Sequence, residues 1–272
     1  MIALEDFHED ILGKAMRGLG IGKNEMAQIL NLEKSKIEQV LNGSVDEALI
    51  KRMARELKLD GAKLVRSARK EWSPIPVEVN GLKQFQSSFG DMIVNAYVVW
   101  DDLTQKAWIF DTGTDSQAIL EFLDEKKLTI DAIFLTHTHR DHIACLDLLV
   151  KHTEKPNIYV HELEVMDGCV SIEENFKHSV NSLYLEARHT YGHSAGGTTY
   201  LIKGLERHVA IVGDALFAGS MGGGVVSYDD ALRTNKEKIF SLGEDTILCP
   251  GHGPMTTVTE EKVNNPFFPE FS

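Results

Sequence analysis

The chain has 272 residues, is 43% hydrophobic and 25% charged, and carries a net charge of −13, the composition of a soluble globular protein with one large or two unequal domains. No apolar run is long enough to span a bilayer, and the acidic start Met1-Ile2-Ala3-Leu4-Glu5-Asp6 lacks the basic-then-apolar order of a secretory signal, so a cytoplasmic location is expected. Residues 1–72 carry 13 Lys and Arg against 12 Asp and Glu, and the remainder 15 against 29, so the larger part repels nucleic acid, which argues against a ribonuclease.

The three cysteines, Cys145, Cys169 and Cys249, form no Cys-x-x-Cys pair, and an odd number argues against a disulfide framework. Residues 1–72 read as all-helical, with amphipathic segments near 3–17, 23–30, 34–42, 46–58 and 60–71 separated by Gly and Asn. Within them, Ala27 is a small residue where a second helix must approach, Leu32 anchors a turn, and Ile37 and Val40 face inward. With Ile50-Lys51-Arg52-Met53-Ala54-Arg55-Glu56-Leu57 following, the stretch from Asn24 to Gly43 resembles the helix-turn-helix of the Cro and phage-repressor family. That resemblance implies DNA contact through Lys34, Ser35, Lys36 and Gln39. Glu33 and Glu38 flank this face, and a helical bundle used for packing or dimerisation explains the same pattern.

Two prolines in Ser73-Pro74-Ile75-Pro76-Val77 stop the helices and set a boundary between a domain over 1–72 and one over 77–272. Strands follow at Met92–Trp100 and Lys106–Phe110, then a helix near 116–126, a strand into residue 135, a helix near 143–150 and a strand near 157–160. Further strands are expected at 182–188, 197–203, 208–213 and 245–249, with a helix at 228–241 and Phe267, Phe268 and Phe271 tucked onto the body. The alternation predicts a layered α/β architecture with its site on loops at strand ends.

One such loop is Thr136-His137-Thr138-His139-Arg140-Asp141-His142. Alternation along extended chain puts His137 and His139 on one face, continued by Asp141, while His142 turns to the other side as a helix begins. Two diverging sets suit two metal ions. Three later candidates each follow a glycine at the end of an apolar strand: His193, Asp214 and His252.

Together these residues resemble the metallo-β-lactamase superfamily over roughly residues 77–267. The resemblance implies an αβ/βα sandwich, here preceded by the small all-helical domain, and a dinuclear centre. His137, His139 and His193 would hold one ion, Asp141, His142 and His252 the second, and Asp214 would bridge them, with Asp141 and Asp214 the catalytic carboxylates. His139 stands where the flavodiiron-like branch has glutamate. The segments Gly213–Ser220, Pro250–Pro254 and Asn264–Phe268 are closest to short glyoxalase II-like hydrolases. Those enzymes usually carry a basic residue after the Gly-Ser turn, whereas Met221-Gly222-Gly223-Gly224-Val225-Val226 has none. This departure, with the expectation that no further helical domain follows His252, argues against glutathione thioesters.

The expected function is hydrolysis of an ester-like bond in a small molecule by a metal-bridging hydroxide, thioesters favoured over lactones and phosphoesters. Zinc is the expected metal, and imidazole and carboxylate ligands also admit iron or manganese. The rivals are a non-haem iron persulfide dioxygenase and a DNA-binding regulator with a hydrolase-like sensor. A homodimer fits any of the three, and no membrane partner is expected.

Overall fold

The computed structural model describes residues 2–153 and 155–271. Among these residues, five helices come first: α1 (His8–Gly18), α2 (Lys23–Leu30), α3 (Lys34–Leu41), α4 (Glu47–Glu56) and α5 (Gly61–Ala68). Their ends are chemically marked. Asp46 accepts from Leu49 N at the start of α4, Asp60 accepts from Ala62 N and Lys63 N at the start of α5, and Asn31 closes α2 in the left-handed conformation at φ 50°.

Among the described residues, two six-stranded sheets follow. The first runs in order β1 (Leu82–Phe89), β2 (Met92–Asp101), β3 (Lys106–Phe110), β4 (Thr129–Phe134), β5 (Asn157–His161) and β6 (Val170–Ile172). The second runs β12 (Thr256–Thr257), β11 (Ile247–Pro250), β10 (Val209–Gly213), β9 (Thr198–Lys203), β8 (Leu183–His189) and β7 (Lys177–Val180). Helices α6 (Gln117–Lys126), α7 (Arg140–Ile143), α8 (Leu146–His152), α9 (Tyr228–Thr234) and α10 (Val258–Asn264) complete the regular α structure, with a π-helical turn at Asn235–Ile239 and a 3-10 turn at Pro269–Phe271.

The layers follow from side-chain alternation along each strand. In β10, Val209 and Ile211 face the first sheet, in one cluster with Tyr97, Trp108, Phe110 and Phe134. The intervening Ala210 and Val212 face the other way, in one cluster with Ile11, Leu12, Ile50, Met53 and Leu64 of the five N-terminal helices. The outer face of the first sheet packs Val98, Ile109 and Ile133 against Ile119, Phe122 and Leu149 of α6 and α8. The order is therefore helices, sheet, sheet, helices, and the N-terminal helices share an apolar core with the second sheet.

Polar contacts reinforce that join. The buried Lys63 ammonium donates to the carbonyls of Lys262 (2.8 Å) and Phe268 (3.3 Å), and Asp60 N donates to Pro266 O at 2.8 Å. The expected tuck of the tail is present: Phe267 and Phe268 are buried in the shared core and Phe271 stacks on Phe240 at 4.8 Å.

Several expected elements differ. The first helix begins at His8 rather than near residue 3, and the helix expected near 143–150 is α8, preceded by the separate short helix α7. The helix expected over 228–241 passes into π geometry at Asn235, whose side chain turns inward to donate to Ala215 O at 2.7 Å. Strands β1, β6, β7 and β12 and helix α10 were not expected; β1 pairs with β2 along its whole length, yet its polar alternating residues are half exposed. Among the described residues, no helix is long and apolar enough to cross a membrane.

Candidate metal centre

The seven candidate ligands come from four loops at one end of the two sheets. The loop after β4 supplies His137, His139, Asp141 and His142, the loop after β8 supplies His193, and Asp214 and His252 stand just beyond β10 and β11. The side chains converge. His139 Nδ1 lies 3.0 Å from His137 Nε2 and 3.1 Å from His193 Nε2. Asp141 Oδ2 lies 3.5 Å from His142 Nε2 and 3.3 Å from His252 Nε2. Asp214 reaches both groups: Oδ2 is 3.4 Å from His193 Nε2 and 3.5 Å from His252 Nε2, and Oδ1 is 3.3 Å from His142 Nε2.

These spacings fit metal coordination. Ligand atoms at the usual 2.0–2.1 Å from a tetrahedral zinc lie about 3.3 Å apart. Among the described residues, the groups able to hold an ion are His137 with His139 and His193, Asp141 with His142 and His252, and His137 with His142 and Asp214. His142 Nε2 and Asp214 Oδ1 are both buried without a hydrogen-bond partner although they are 3.3 Å apart. Two inward-facing orphan atoms of this kind are what a cation between them would satisfy.

One expectation about the opening loop is corrected. Asp141 does not continue the face of His137 and His139. Helix α7 begins at Arg140, so Asp141 and His142 swing together toward His252.

The imidazoles are fixed by what their other nitrogens contact. Nδ1 of His142 meets Asp111 Oδ2 at 2.8 Å, Nδ1 of His193 meets Gly223 O at 2.9 Å, and Nδ1 of His252 meets Ile93 O at 2.8 Å. Each of these rings therefore presents Nε2 to the centre. Asp111 is buried with φ +55° and also accepts from Thr136 N and Oγ1, both at 2.7 Å. Glu164 holds the loops together by accepting from Thr138 N and Oγ1 and from Gly196 N. Asn95 does the same for the His252 loop, donating to Pro250 O and Gly253 O at 2.8 Å each. None of these three supports was singled out from the sequence.

Two glycines are needed for closeness. A Cβ on Gly251 would stand 2.1 Å from Asp214 Oδ1, and Gly213, at φ +51°, would place one 2.5 Å from Thr136 Oγ1.

The electrostatics follow from burial and crowding. Burial alone would raise Asp214, but the imidazoles of His142 and His252 hold it well below the ordinary carboxylate range. Burial likewise opposes charge on His142 and His252, yet Asp214 with Asp111 lifts the former to about 10, and Asp141 with Asp214 lifts the latter to about 11. Burial and the neighbouring His142 push His137 well down, and burial lowers His193. Without metal, the ionised carboxylates are thus paired with the protonated rings of His142 and His252, and binding of divalent cations would displace those protons.

A cavity of about 340 Å³ opens onto His139, Asp141, His193, Asp214 and His252. Its other walls include Phe217, Gly222 and Gly223, and three residues from the N-terminal region: Glu5, Asp6 and Lys14. Lys34, Ser35, Lys36 and Gln39 are exposed on α3 and do not line it, and Lys34 pairs with Glu38 at 3.5 Å. Of the histidines outside the centre, His189 bonds Ala195 O and stacks on His161, and His178 pairs with Asp131.

The profile of the Metallo-beta-lactamase superfamily matches residues 89–168, which include the loop after β4. A probable metallo-hydrolase of Bacillus subtilis, YqgX, is 32% identical over 209 residues, covering 67% of this chain and 96% of the relative. The chain belongs to the metallo-beta-lactamase superfamily. Another relative is hydroxyacylglutathione hydrolase GloC of Haemophilus influenzae, 27% identical over 64% of this chain and 92% of its own. Among solved structures, the BLEG-1 B3 metallo-beta-lactamase is 30% identical over 68% of this chain and 98% of its own, with a TM-score of 0.58. Membership accounts for the two-sheet sandwich and for His/Asp clusters suited to a metal site.

Proposed function

We propose that this protein is a two-metal hydrolase of a small ester-like substrate, with a thioester the favoured bond. The observation that carries the reading is the carboxylate of Asp214, within 3.5 Å of His193 on one side and His252 on the other. Two divalent ions held there by His137, His139 and His193, by Asp141, His142 and His252, and jointly by Asp214 would lower the pKa of an attacking water and polarise the substrate carbonyl.

The chain's own part is positional. Asp111, Gly223 O and Ile93 O orient the three rings noted above, so no reorganisation is needed as charge develops. Asp141, held below its ordinary range despite its burial by the bond to His252 and by His142, is ionised at neutral pH and acts as an anion rather than a proton donor. Phe217 covers one side of the cavity, with its ring 5.4 Å from that of His252, and limits water there. A volume of about 340 Å³ lies at the small end of the range for small-molecule pockets, about 300–1,000 Å³. The GloC relative supports the thioester preference, since its name gives it a hydroxyacylglutathione as substrate. Zinc suffices for hydrolysis and is the metal proposed.

The test is metal analysis of the purified protein together with turnover of thioesters, lactones and phosphodiesters. Two equivalents of metal and fastest turnover of a thioester are expected. Full metal with no turnover of any ester would contradict the proposal, and oxygen consumption with a persulfide would replace it by the dioxygenase reading. The exposure of Lys34, Ser35, Lys36 and Gln39 along α3 supports a second reading, DNA contact by the helical region of a regulator. Tight, salt-dependent binding to promoter DNA that Lys36→Glu abolishes would establish it.

A further inference from the structure

The N-terminal region supplies part of the cavity wall, and one of its side chains is a cation. Lys14, on α1, is the single Lys or Arg among the described residues lining the cavity. We propose that Lys14 is a specificity-determining residue that receives a carboxylate of the substrate. Catalytic consequences of this assignment rest on the hydrolase reading above; the binding assignment does not.

Three observations carry it. The first is place. Lys14 Nζ donates to Met221 O at 2.9 Å, so its charge reaches the loop Met221-Gly222-Gly223-Gly224-Val225-Val226, which has no basic residue of its own. A helix 207 residues away in sequence brings the cation there. The second is construction. Asp6 is buried and accepts from both Lys14 Nζ and Ser220 Oγ, the latter at 2.6 Å. Lys14 Nζ also stands 4.7 Å over the ring of Phe217. The lysine is therefore pinned by a buried acid, a carbonyl and an aromatic face, and its side chain is only 14% exposed. Ordering of a long, flexible side chain, normally a cost of binding, is already met in the fold. The third is capacity. An ammonium has three donors, and Asp6 and Met221 O use two, leaving one for a molecule in the cavity.

The surroundings narrow the ligand class. Glu5 and Asp6 lie in the same wall, so a dianionic phosphate would meet two carboxylates beside one ammonium. A single carboxylate, able to accept one charge-assisted hydrogen bond from Lys14, fits better. The wall residue Phe217 suits the short apolar spacer between such a carboxylate and the scissile bond.

The test uses full-length, metal-loaded protein and two non-hydrolysable thioethers, 3-(ethylthio)propionate and its uncharged amide, with calorimetric affinities. The wild type should prefer the acid. Lys14→Gln, which keeps a donor for Asp6 or Met221 O, should lose about tenfold in affinity for the acid and little for the amide, and Lys14→Arg should restore the preference. Equal losses for acid and amide, or none for either, would overturn the assignment. In the unaltered protein, the acid but not the amide should slow reductive methylation of Lys14, read by peptide mass spectrometry; equal rates with both would overturn it without recourse to a variant. Kinetics separate this proposal from the parent reading. With S-acetyl-3-mercaptopropionate and the uncharged S-acetyl-N-acetylcysteamine, Lys14→Gln should lower the ratio of kcat/KM values about tenfold, through KM. Discrimination in binding with no turnover of these or any other ester would keep the Lys14 assignment and remove the hydrolase reading. Turnover of both with an unchanged ratio would do the reverse.

Discussion

Asp111 Oδ2 lies 2.8 Å from Nδ1 of His142, with both residues buried. The contact fixes the ring so that Nε2 faces Asp214 and Asp141, and Asp111 spends its remaining acceptor capacity on Thr136. One carboxylate thus ties the ring of His142 to the start of the ligand loop.

Removing it should loosen the centre without touching a ligand. If the centre holds two ions as proposed, Asp111→Ala is expected to weaken binding of one of them by about 10–100-fold, the usual effect of losing such a support. Competition with a chromogenic chelator measures it. Unchanged affinity for both ions would show that the packing around His142 holds the ring unaided.

The contact of the helical region with the sandwich has its own test. A Cβ on Gly18, at the end of α1, would stand 2.3 Å from ring atoms of Tyr228 on α9. Gly18→Ala should therefore destabilise the whole protein by about 1–3 kcal/mol, as overpacking does, although alanine favours helix. The midpoint of urea denaturation reads the loss. A gain in stability would mean that α1 and α9 do not meet this closely.

Stability should also fall with pH across a defined window because of Glu261. Burial raises its carboxyl to about 8, against hydrogen bonds from Asn265, Thr256 and Gly219 N that favour the anion. The unfolded chain releases this proton near 4.5, so between those values the folded state binds more protons. The contribution is therefore complete below about 4.5 and is lost as pH rises toward about 8, at up to about 1.4 kcal/mol per pH unit. Glu261→Gln, which resembles the protonated acid, should flatten the profile of the metal-loaded protein. Parallel profiles for the two proteins would show that Glu261 is ionised in the fold.

How far the site could be read from the chain depended on distance along it. Four candidate ligands within residues 137–142 announce themselves, and His193, Asp214 and His252 share a context, a glycine directly before a polar residue. Asp111 has no such mark: an acidic residue after a strand is ordinary, and its partners Thr136 and His142 lie 25 and 31 residues on. Glu5, Asp6 and Lys14 were less visible still, since they reach the cavity only because the helical region packs on the outer face of the second sheet. The apolar strands β2, β3, β9 and β10 were readable because burial on both faces leaves near-continuous hydrophobic runs. Strands β1 and β7 were not, because a half-exposed edge carries the polar residues of a loop.

The central claim is that Asp214 stands between two ions. Anomalous scattering from crystals of the zinc-loaded protein, collected on both sides of the zinc edge, tests it most directly. The account predicts two peaks, one beside His137, His139 and His193 and the other beside Asp141, His142 and His252, with one oxygen of Asp214 near each or shared by both. Asp214→Ala crystals should lose at least one peak, and the variant should lose activity with it. A single peak in the wild type, or two peaks that survive in Asp214→Ala with full activity, would contradict the account.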